Sequence, residues 1–265
     1  MKSVVIRDLV IGEGMAKICA PVTGISEEEI LEQSKAICAL DADILEWRCD
    51  WYKEVLNSDQ VKRVLERLRK CIGDMALLVT FRTKKEGGQL EVDLKTYEAI
   101  LMSAIESGYA DMVDLEIMSD SQTVDTVIRS AHEKGVYVVA SNHDFDRTPE
   151  KEVLLERMAL MDKAGADILK IAVMPQKAKD VVRLLDVTEE ASKFGRPVIT
   201  MSMSGLGLVS RLSGEVFGSA VTFGCVGRAS APGQIEVTQL KKILELMHDN
   251  LYKCSSAKTT QKIVR

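Results

Sequence analysis

The segment Ala166-Asp167-Ile168-Leu169-Lys170 contains a pattern, Ala-Asp-apolar-apolar, that occurs three times in this chain. The other copies are Ala42-Asp43-Ile44-Leu45 and Ala110-Asp111-Met112-Val113, and the acids Glu46 and Asp114 follow them. Because side chains alternate along a β-strand, the shared spacing predicts that Lys170, Glu46 and Asp114 lie in the same phase near the ends of three equivalent strands. An ammonium group is almost never buried without a partner, so Lys170 needs an acidic neighbour or a chemical role.

Eight apolar segments of strand length alternate with helix-like segments, and no Pro/Gly/Ser-rich linker divides the chain. The segments cover residues 18–20, 44–48, 77–81, 112–116, 136–141, 168–173, 198–203 and 220–223. This alternation predicts an α/β protein with a single (β/α)8 barrel, a TIM barrel, over residues 1–251. We also expect a short N-terminal β-hairpin within residues 4–11 and a disordered C-terminal tail over residues 252–265. An open doubly wound sheet is the alternative, and the absence of a G-x-G-x-x-G motif after the first strand disfavours it.

The composition narrows the classes of function. A net charge of −5 without a basic stripe argues against a nucleic-acid partner. The six cysteines show neither a C-x-x-C pair nor metal-ligand spacing, which is typical of reduced thiols and favours a cytoplasmic protein. The apolar stretch at the N-terminus is too short for a secretory signal or a membrane span.

The carboxyl ends of the barrel strands carry several residues suited to chemistry, and active sites of this fold lie there. A lysine such as Lys170 can attack a carbonyl once it loses its proton, forming an imine that acidifies the neighbouring C–H bond. His143 follows the fifth strand and is suited to move that proton, and Glu86 on a Gly-rich loop is a candidate to orient it. A salt bridge at the barrel rim remains the alternative role for Lys170 and His143, and a solvated acid remains the alternative for Glu86.

Three arginines at or after strand ends are candidates for holding a carboxylate, because a guanidinium binds it through two hydrogen bonds. They are Arg48, Arg82 and Arg211. The segment Ser230-Ala231-Pro232-Gly233-Gln234 offers hydroxyl and amide groups on a loop that would close as a lid, although its glycine is also compatible with a simple turn.

Taken together, these segments resemble the type I 3-dehydroquinate dehydratases over nearly the whole chain to about Leu251. The matching segments include Glu46-Trp47-Arg48, Thr80-Phe81-Arg82-Thr83, Glu86-Gly87-Gly88, Ser141-Asn142-His143-Asp144-Phe145, Lys170-Ile171-Ala172-Val173-Met174-Pro175, Met201-Ser202-Met203-Ser204-Gly205, Ser210-Arg211 and Ser230-Ala231-Pro232-Gly233-Gln234. The resemblance implies a lyase that needs neither cofactor nor metal and removes water from 3-dehydroquinate to give 3-dehydroshikimate, in the shikimate route to chorismate and aromatic amino acids.

The resemblance also implies a role for each matched residue. Lys170 would form a Schiff base with the C3 ketone, and His143, supported by Glu86, would take the C2 proton and return it to the departing C1 hydroxyl in a syn elimination. The implied substrate contacts are Glu46, Arg48, Arg82, Met203, Arg211, Ser230 and Gln234, with Arg211 at the carboxylate. A homodimer with a small-molecule substrate, and with neither a nucleic acid nor a membrane as partner, is also implied.

Two other enzyme classes and a non-catalytic scaffold protein remain as alternatives. A class I aldolase also uses a lysine imine on the sixth strand of this barrel, but it usually has a phosphate site after strands seven and eight. Metal-dependent hydrolysis would use Glu46, Asp114, Glu116 and His143, a set with only one histidine. A non-catalytic scaffold would not trap a ketone on Lys170.

Overall fold

The computed structural model describes residues 3–227 and 233–260 of the chain. Its first two strands, β1 (Val4–Ile6) and β2 (Leu9–Ile11), pair antiparallel and form the predicted hairpin. Ile6 and Ile11 of this hairpin are buried against the side chains that fill the barrel, and the Tyr137 hydroxyl donates a hydrogen bond to the Val5 carbonyl oxygen. The hairpin therefore covers one end of the barrel and leaves the carboxyl ends of the strands for a ligand.

Eight parallel strands follow one another around a curled sheet in chain order. They are β3 (Lys17–Val22), β4 (Ile44–Arg48), β5 (Ala76–Thr80), β6 (Met112–Glu116), β7 (Tyr137–Asp144), β8 (Ile168–Val173), β9 (Val198–Ser202) and β10 (Val221–Cys225). The strand β10 pairs with β3, while β9 meets the start of β10 at a parallel bridge between Val198 and Ser219. A short strand, β11 (Ile235–Glu236), pairs with the end of β10. The predicted (β/α)8 barrel with an N-terminal hairpin is confirmed.

Helices surround the barrel. They are α1 (Glu27–Cys38), α2 (Ser58–Ile72), α3 (Leu94–Glu106), α4 (Ser121–Glu133), α5 (Lys151–Lys163), α6 (Ala178–Ala191), α7 (Leu208–Leu212), α8 (Gly214–Phe217) and α9 (Val237–Thr260). Asn57, Asp93 and Asp120 are the N-caps of α2, α3 and α4, and each accepts backbone N–H groups of the first turn. The helix α9 continues past Leu251, where the sequence predicted the boundary between barrel and tail, and residues 261–265 lie outside the described residues.

Two apolar clusters hold these layers together. One lies between the helices and the outer face of the barrel, where for example Trp47 and Leu65 are fully buried. The other fills the barrel and includes Cys19, Ile44 and Leu78. Many of the side chains that point inward near the carboxyl ends of the strands are polar or charged, and the alternation of side chains along each strand brings them together at that end. Among the described residues, the structure has no helix with the length and apolar character needed to cross a membrane.

Candidate active site

A cavity of about 600 Å³ opens at the carboxyl ends of the barrel strands. Nine of the ten residues predicted for the site line it: Glu46, Arg48, Arg82, Glu86, His143, Lys170, Met203, Arg211 and Gln234. The tenth, Ser230, lies outside the described residues. A wider groove of about 1170 Å³ lies beside it, between the loops that follow β5 and β6, and shares Glu86 with it. That groove contains neither Lys170 nor His143, so the smaller cavity is the better candidate for catalysis.

Lys170 lies in this cavity with acidic partners. Its Nζ is 3.0 Å from Asp114 Oδ2 and 3.7 Å from Glu46 Oε1, and it lies 4.8 Å from the centre of the Phe223 ring. The Thr80 hydroxyl donates a hydrogen bond to Glu46 and fixes that carboxylate. The predicted common phase of Lys170, Glu46 and Asp114 is therefore confirmed. These contacts fix the amine on the side of β8 that faces the barrel axis.

Asp114 links Lys170 to Arg82. The carboxylate lies 2.7 Å from the Arg82 guanidinium and accepts a 2.5 Å hydrogen bond from the Ser141 hydroxyl. Burial alone would raise the pKa of Asp114, but Arg82 and Lys170 outweigh it and hold that pKa well below its usual range. Asp114 therefore stays ionised and orients both cations. The strand phase pointed to this acid as a possible partner of Lys170, but the resemblance implied no catalytic or substrate-binding role for it.

Arg82 is surrounded by acids. Besides Asp114, its NH1 lies 3.1 Å from Glu116 Oε1 and 3.6 Å from Glu86 Oε2, and it donates to the Ser141 hydroxyl. Burial lowers the pKa of Arg82, yet the three carboxylates together raise it above its ordinary value. The guanidinium thus serves first to hold the acids of the site in place, and it also lines the cavity wall as predicted for a substrate contact.

His143 and Glu86 form a close pair. The Nδ1 of His143 lies 2.9 Å from Glu86 Oε2, and the backbone N–H of His143 donates to the same oxygen. An ionised carboxylate only accepts hydrogen bonds, so Nδ1 carries the proton and Nε2 keeps its lone pair for a substrate.

The protonation of this pair follows from its surroundings. Burial, together with Arg82 and Lys170, lowers the pKa of His143 well below its usual value, so the imidazole is neutral near pH 7. Burial raises the pKa of Glu86 to about 7, with Glu116 adding to the effect and Arg82 opposing it. A neutral imidazole beside a carboxylate is the arrangement required of a general base.

Two glycines allow the loop after β5 to place Glu86 in the site. Gly87 adopts φ 88°, a left-handed conformation that side chains disfavour, and a Cβ there would overlap the ring of Phe145. A Cβ at Gly88 would overlap the carbonyl group of Arg82. Only glycine allows this close approach, so the position of Glu86 depends on Gly87 and Gly88.

Two of the predicted anchor residues, Arg48 and Arg211, also line the cavity. The guanidinium of Arg48 is held by Asp50 through two hydrogen bonds of 2.8 and 2.9 Å. Arg211 comes from α7 and is 1% exposed, and burial lowers its pKa to about 10, so it stays charged at neutral pH. Both arginines line the cavity, where a guanidinium can bind a carboxylate of a substrate through two hydrogen bonds.

The described residues contain no group of three or more His, Cys, Asp or Glu side chains arranged to hold a metal ion.

Comparisons with known proteins point to a single enzyme family. The family model of type I 3-dehydroquinase matches residues 18–251. The 3-dehydroquinate dehydratase of Bacillus velezensis is 48% identical over 253 residues, covering 95% of this chain and 100% of the relative. The crystal structure of type I 3-dehydroquinate dehydratase from Clostridium difficile, with covalently modified comenic acid, superposes with a TM-score of 0.92 at 44% identity, covering 94% of this chain and 100% of the other. The crystal structure of the 3-dehydroquinate dehydratase from Geobacillus kaustophilus superposes with a TM-score of 0.90 at 38% identity, covering 93% of this chain and 96% of the other.

Proposed function

The chain belongs to the type I 3-dehydroquinase family, a family of hydro-lyases, and we propose that it removes water from 3-dehydroquinate through a Schiff base on Lys170, yielding 3-dehydroshikimate. The observation that carries this proposal is the placement of Lys170 and the His143–Glu86 pair in one cavity. In the barrel, His143 pairs with Ala172, two residues beyond Lys170 on β8. The two groups are therefore offset by about 7 Å along the strands, which leaves room for a substrate ring between them.

The first step is attack of the Lys170 amine on the C3 ketone. The Lys170 ammonium first gives up one proton to become a nucleophile. The new C–N bond then replaces the C=O bond, and the ketone oxygen leaves as water with that returned proton and one hydrogen from the nitrogen, so an iminium remains. Asp114, 3.0 Å from the amine, stays ionised and stabilises the positive charge of the resulting iminium. The iminium withdraws electrons from C2 more strongly than the ketone does, and so it acidifies the C2–H bond.

The second step is proton transfer through His143. Its neutral Nε2 takes the C2 proton, and Glu86 stabilises the imidazolium that forms. The electron pair left on C2 makes the new C1–C2 double bond and expels the C1 hydroxyl, which takes the proton back from His143 and leaves as water. A second water then hydrolyses the iminium, restoring the ketone and the free lysine, so the net change is the loss of one water.

The remaining predicted contacts orient the ring. We assign Arg211 to the substrate carboxylate, because its buried cation forms part of the cavity wall. Glu46, Arg48, Arg82 and Gln234 offer polar groups to the hydroxyls, and Met203 packs on the ring. Ser230 lies outside the described residues, and we propose it as a substrate contact from the resemblance alone. The crystal structure of the Clostridium difficile relative contains covalently modified comenic acid, which supports a covalent mechanism.

The cellular setting is part of the proposal. We place the enzyme in the cytoplasm, in the shikimate route to chorismate and aromatic amino acids, as a homodimer that needs no cofactor and binds no nucleic acid. The family relationship supports the route and the dimer. The scattered cysteines and the net charge of −5 support the compartment and argue against a nucleic-acid partner.

An ultraviolet assay tests this function, because the product has a double bond conjugated to its ketone and the substrate has none. The wild type should convert 3-dehydroquinate with the loss of one water, and chelator should not slow it. Lys170→Met should abolish turnover, whereas Lys193→Met, which breaks an exposed helix pair with Glu189, should not. Two smaller carbonyl products would indicate an aldolase instead, and loss of activity with chelator would indicate the metal-dependent reaction.

A further inference from the structure

A chain of hydrogen bonds leads from helix α5 to the catalytic pair. Arg157 NH1 donates to Asn142 Oδ1 at 2.7 Å, and Asn142 Nδ2 donates to Glu86 Oε1 at 2.9 Å. The other carboxylate oxygen of Glu86 accepts from His143. Arg157 thus lies three hydrogen bonds from the imidazole, and it is absent from the cavity lining.

The chemistry of these groups allows one orientation of the Asn142 amide. Arginine only donates hydrogen bonds and an ionised carboxylate only accepts them. If the amide were reversed, its NH2 would face the Arg157 guanidinium and its oxygen would face Glu86, and both contacts would be repulsive. Because Asn142 is buried, water cannot replace either partner. Arg157 therefore supports the orientation of the amide in which Nδ2 reaches Glu86.

We propose that Arg157 is a positioning residue that acts through Asn142 to keep Glu86 ionised and fixed against His143. This inference rests on the proposed role of the His143–Glu86 pair. With Nδ2 of Asn142 on one oxygen and two N–H groups of His143 on the other, the carboxylate has donors on both oxygens. A proton on Glu86 would displace one of these donors, so the chain of hydrogen bonds favours the ionised form of Glu86.

The other charged groups that face Glu86 come from the loop after β5 and from β6. The cation of Arg82 lies 3.6 Å away and favours ionisation, whereas burial and the nearby carboxylate of Glu116 oppose it. These opposing effects leave the pKa of Glu86 at about 7, where the loss of one donor changes its charge at physiological pH. The hydrogen bond from Asn142 to Glu86 therefore affects whether His143 has an anionic partner.

The position of Arg157 separates its effect from substrate binding. Its side chain is 21% exposed, and its second neighbour is Asp144, 3.9 Å away at the end of β7. Neither Arg157 nor Asn142 lines the cavity. Replacing either residue should therefore change the proton transfer, seen in kcat, and leave KM within about twofold.

The test compares kcat as a function of pH for the wild type, Arg157→Met, Arg157→Lys and Asn142→Leu. Loss of one hydrogen bond to a carboxylate should move the acidic limb of kcat upward by about one pH unit in Arg157→Met and Asn142→Leu. Arg157→Lys keeps a cationic donor and should recover most of the shift. Arg196→Met is the matched control, because Arg196 pairs with Asp162 at the surface, and it should keep the wild-type profile.

A second measurement does not depend on activity. Nitrogen-15 spectra of the three histidines report which ring nitrogen carries the proton. Arg157→Met should change the signal and titration of His143 and leave those of His132 and His248 unchanged. A superimposable pH profile together with an unchanged His143 signal would overturn the proposal even if the wild type is an active dehydratase. An inactive wild type would instead refute the proposed function, and the spectra would still report on the hydrogen-bond chain.

Discussion

Replacing Asp114 by asparagine should destabilise the protein strongly, because two buried cations share this carboxylate. Asp114 is fully buried and lies 2.7 Å from Arg82 and 3.0 Å from Lys170. Breaking a buried ion pair by removing one partner typically costs about 3–5 kcal/mol. Arg82 keeps Glu116, and Lys170 keeps Glu46 at 3.7 Å, so we expect a value near the lower end, about 3 kcal/mol.

Urea unfolding measures this cost. With a slope of about 3 kcal/mol per molar urea, the midpoint of unfolding should fall by about 1 M in Asp114→Asn. Asp186→Asn, which breaks an exposed pair with Lys151, is the control and should leave the midpoint nearly unchanged.

The pH dependence of this cost has a definite sign. The pKa of Asp114 is lowered by folding, so its contribution is fully present above about pH 4 and is lost only as the pH falls further. The difference between wild type and Asp114→Asn should therefore be the same at pH 8 and at pH 5.

A double-mutant cycle identifies the cause. In a Lys170→Met background, Asp114→Asn strands one cation instead of two, and its cost should be smaller by at least about 1 kcal/mol. If the two substitutions are additive within about 0.5 kcal/mol, or if Asp114→Asn unfolds at the wild-type midpoint, the shared-carboxylate account is wrong.

Three further predictions concern activity. The wild-type kcat should fall as the pH drops through about 7, because Glu86 then gains a proton and no longer stabilises the His143 imidazolium. Glu86→Gln should lower the maximum kcat and remove this fall at acidic pH. A flat wild-type profile from pH 8 to pH 5.5 would contradict this. Arg211→Met should raise KM for 3-dehydroquinate by about 100-fold with a smaller effect on kcat, since it removes a charged hydrogen-bond donor to the substrate carboxylate; an unchanged KM would exclude it as the anchor. Gly88→Ala should lower kcat at least tenfold, because its Cβ would displace the loop that carries Glu86, and wild-type kinetics in this variant would show that the loop position is not required.

Much of this site could be predicted because strand phase is a strong constraint. Side chains alternate along a strand, and the carboxyl ends of parallel strands meet, so the repeated Ala-Asp pattern was sufficient to bring Lys170, Glu46 and Asp114 together. Strands β4, β6 and β8 begin and end at the predicted residues. Glu86 was singled out because it lies on a Gly-rich loop after the third predicted strand, although the composition of that loop alone was also compatible with a solvated acid.

The partners within the site could not be predicted in the same way. Phase shows that Asp114 and Glu116 point inward, but not that both contact Arg82, because that depends on the length and rotamer of a side chain from β5. Asn142 and Arg157 escaped notice because they are 15 residues apart on different elements, and no local spacing relates them. Such hydrogen bonds depend on how α5 packs on β7, which the sequence pattern does not specify.

Borohydride reduction of the protein with 3-dehydroquinate, followed by peptide mass spectrometry, tests the central claim most directly. The account predicts that the ligand mass is attached to the peptide containing Lys170, that Lys170→Met carries no label, and that His143→Ala still carries it while turning over very slowly. An active wild-type enzyme whose Lys170 peptide keeps its unmodified mass after reduction would contradict the covalent mechanism.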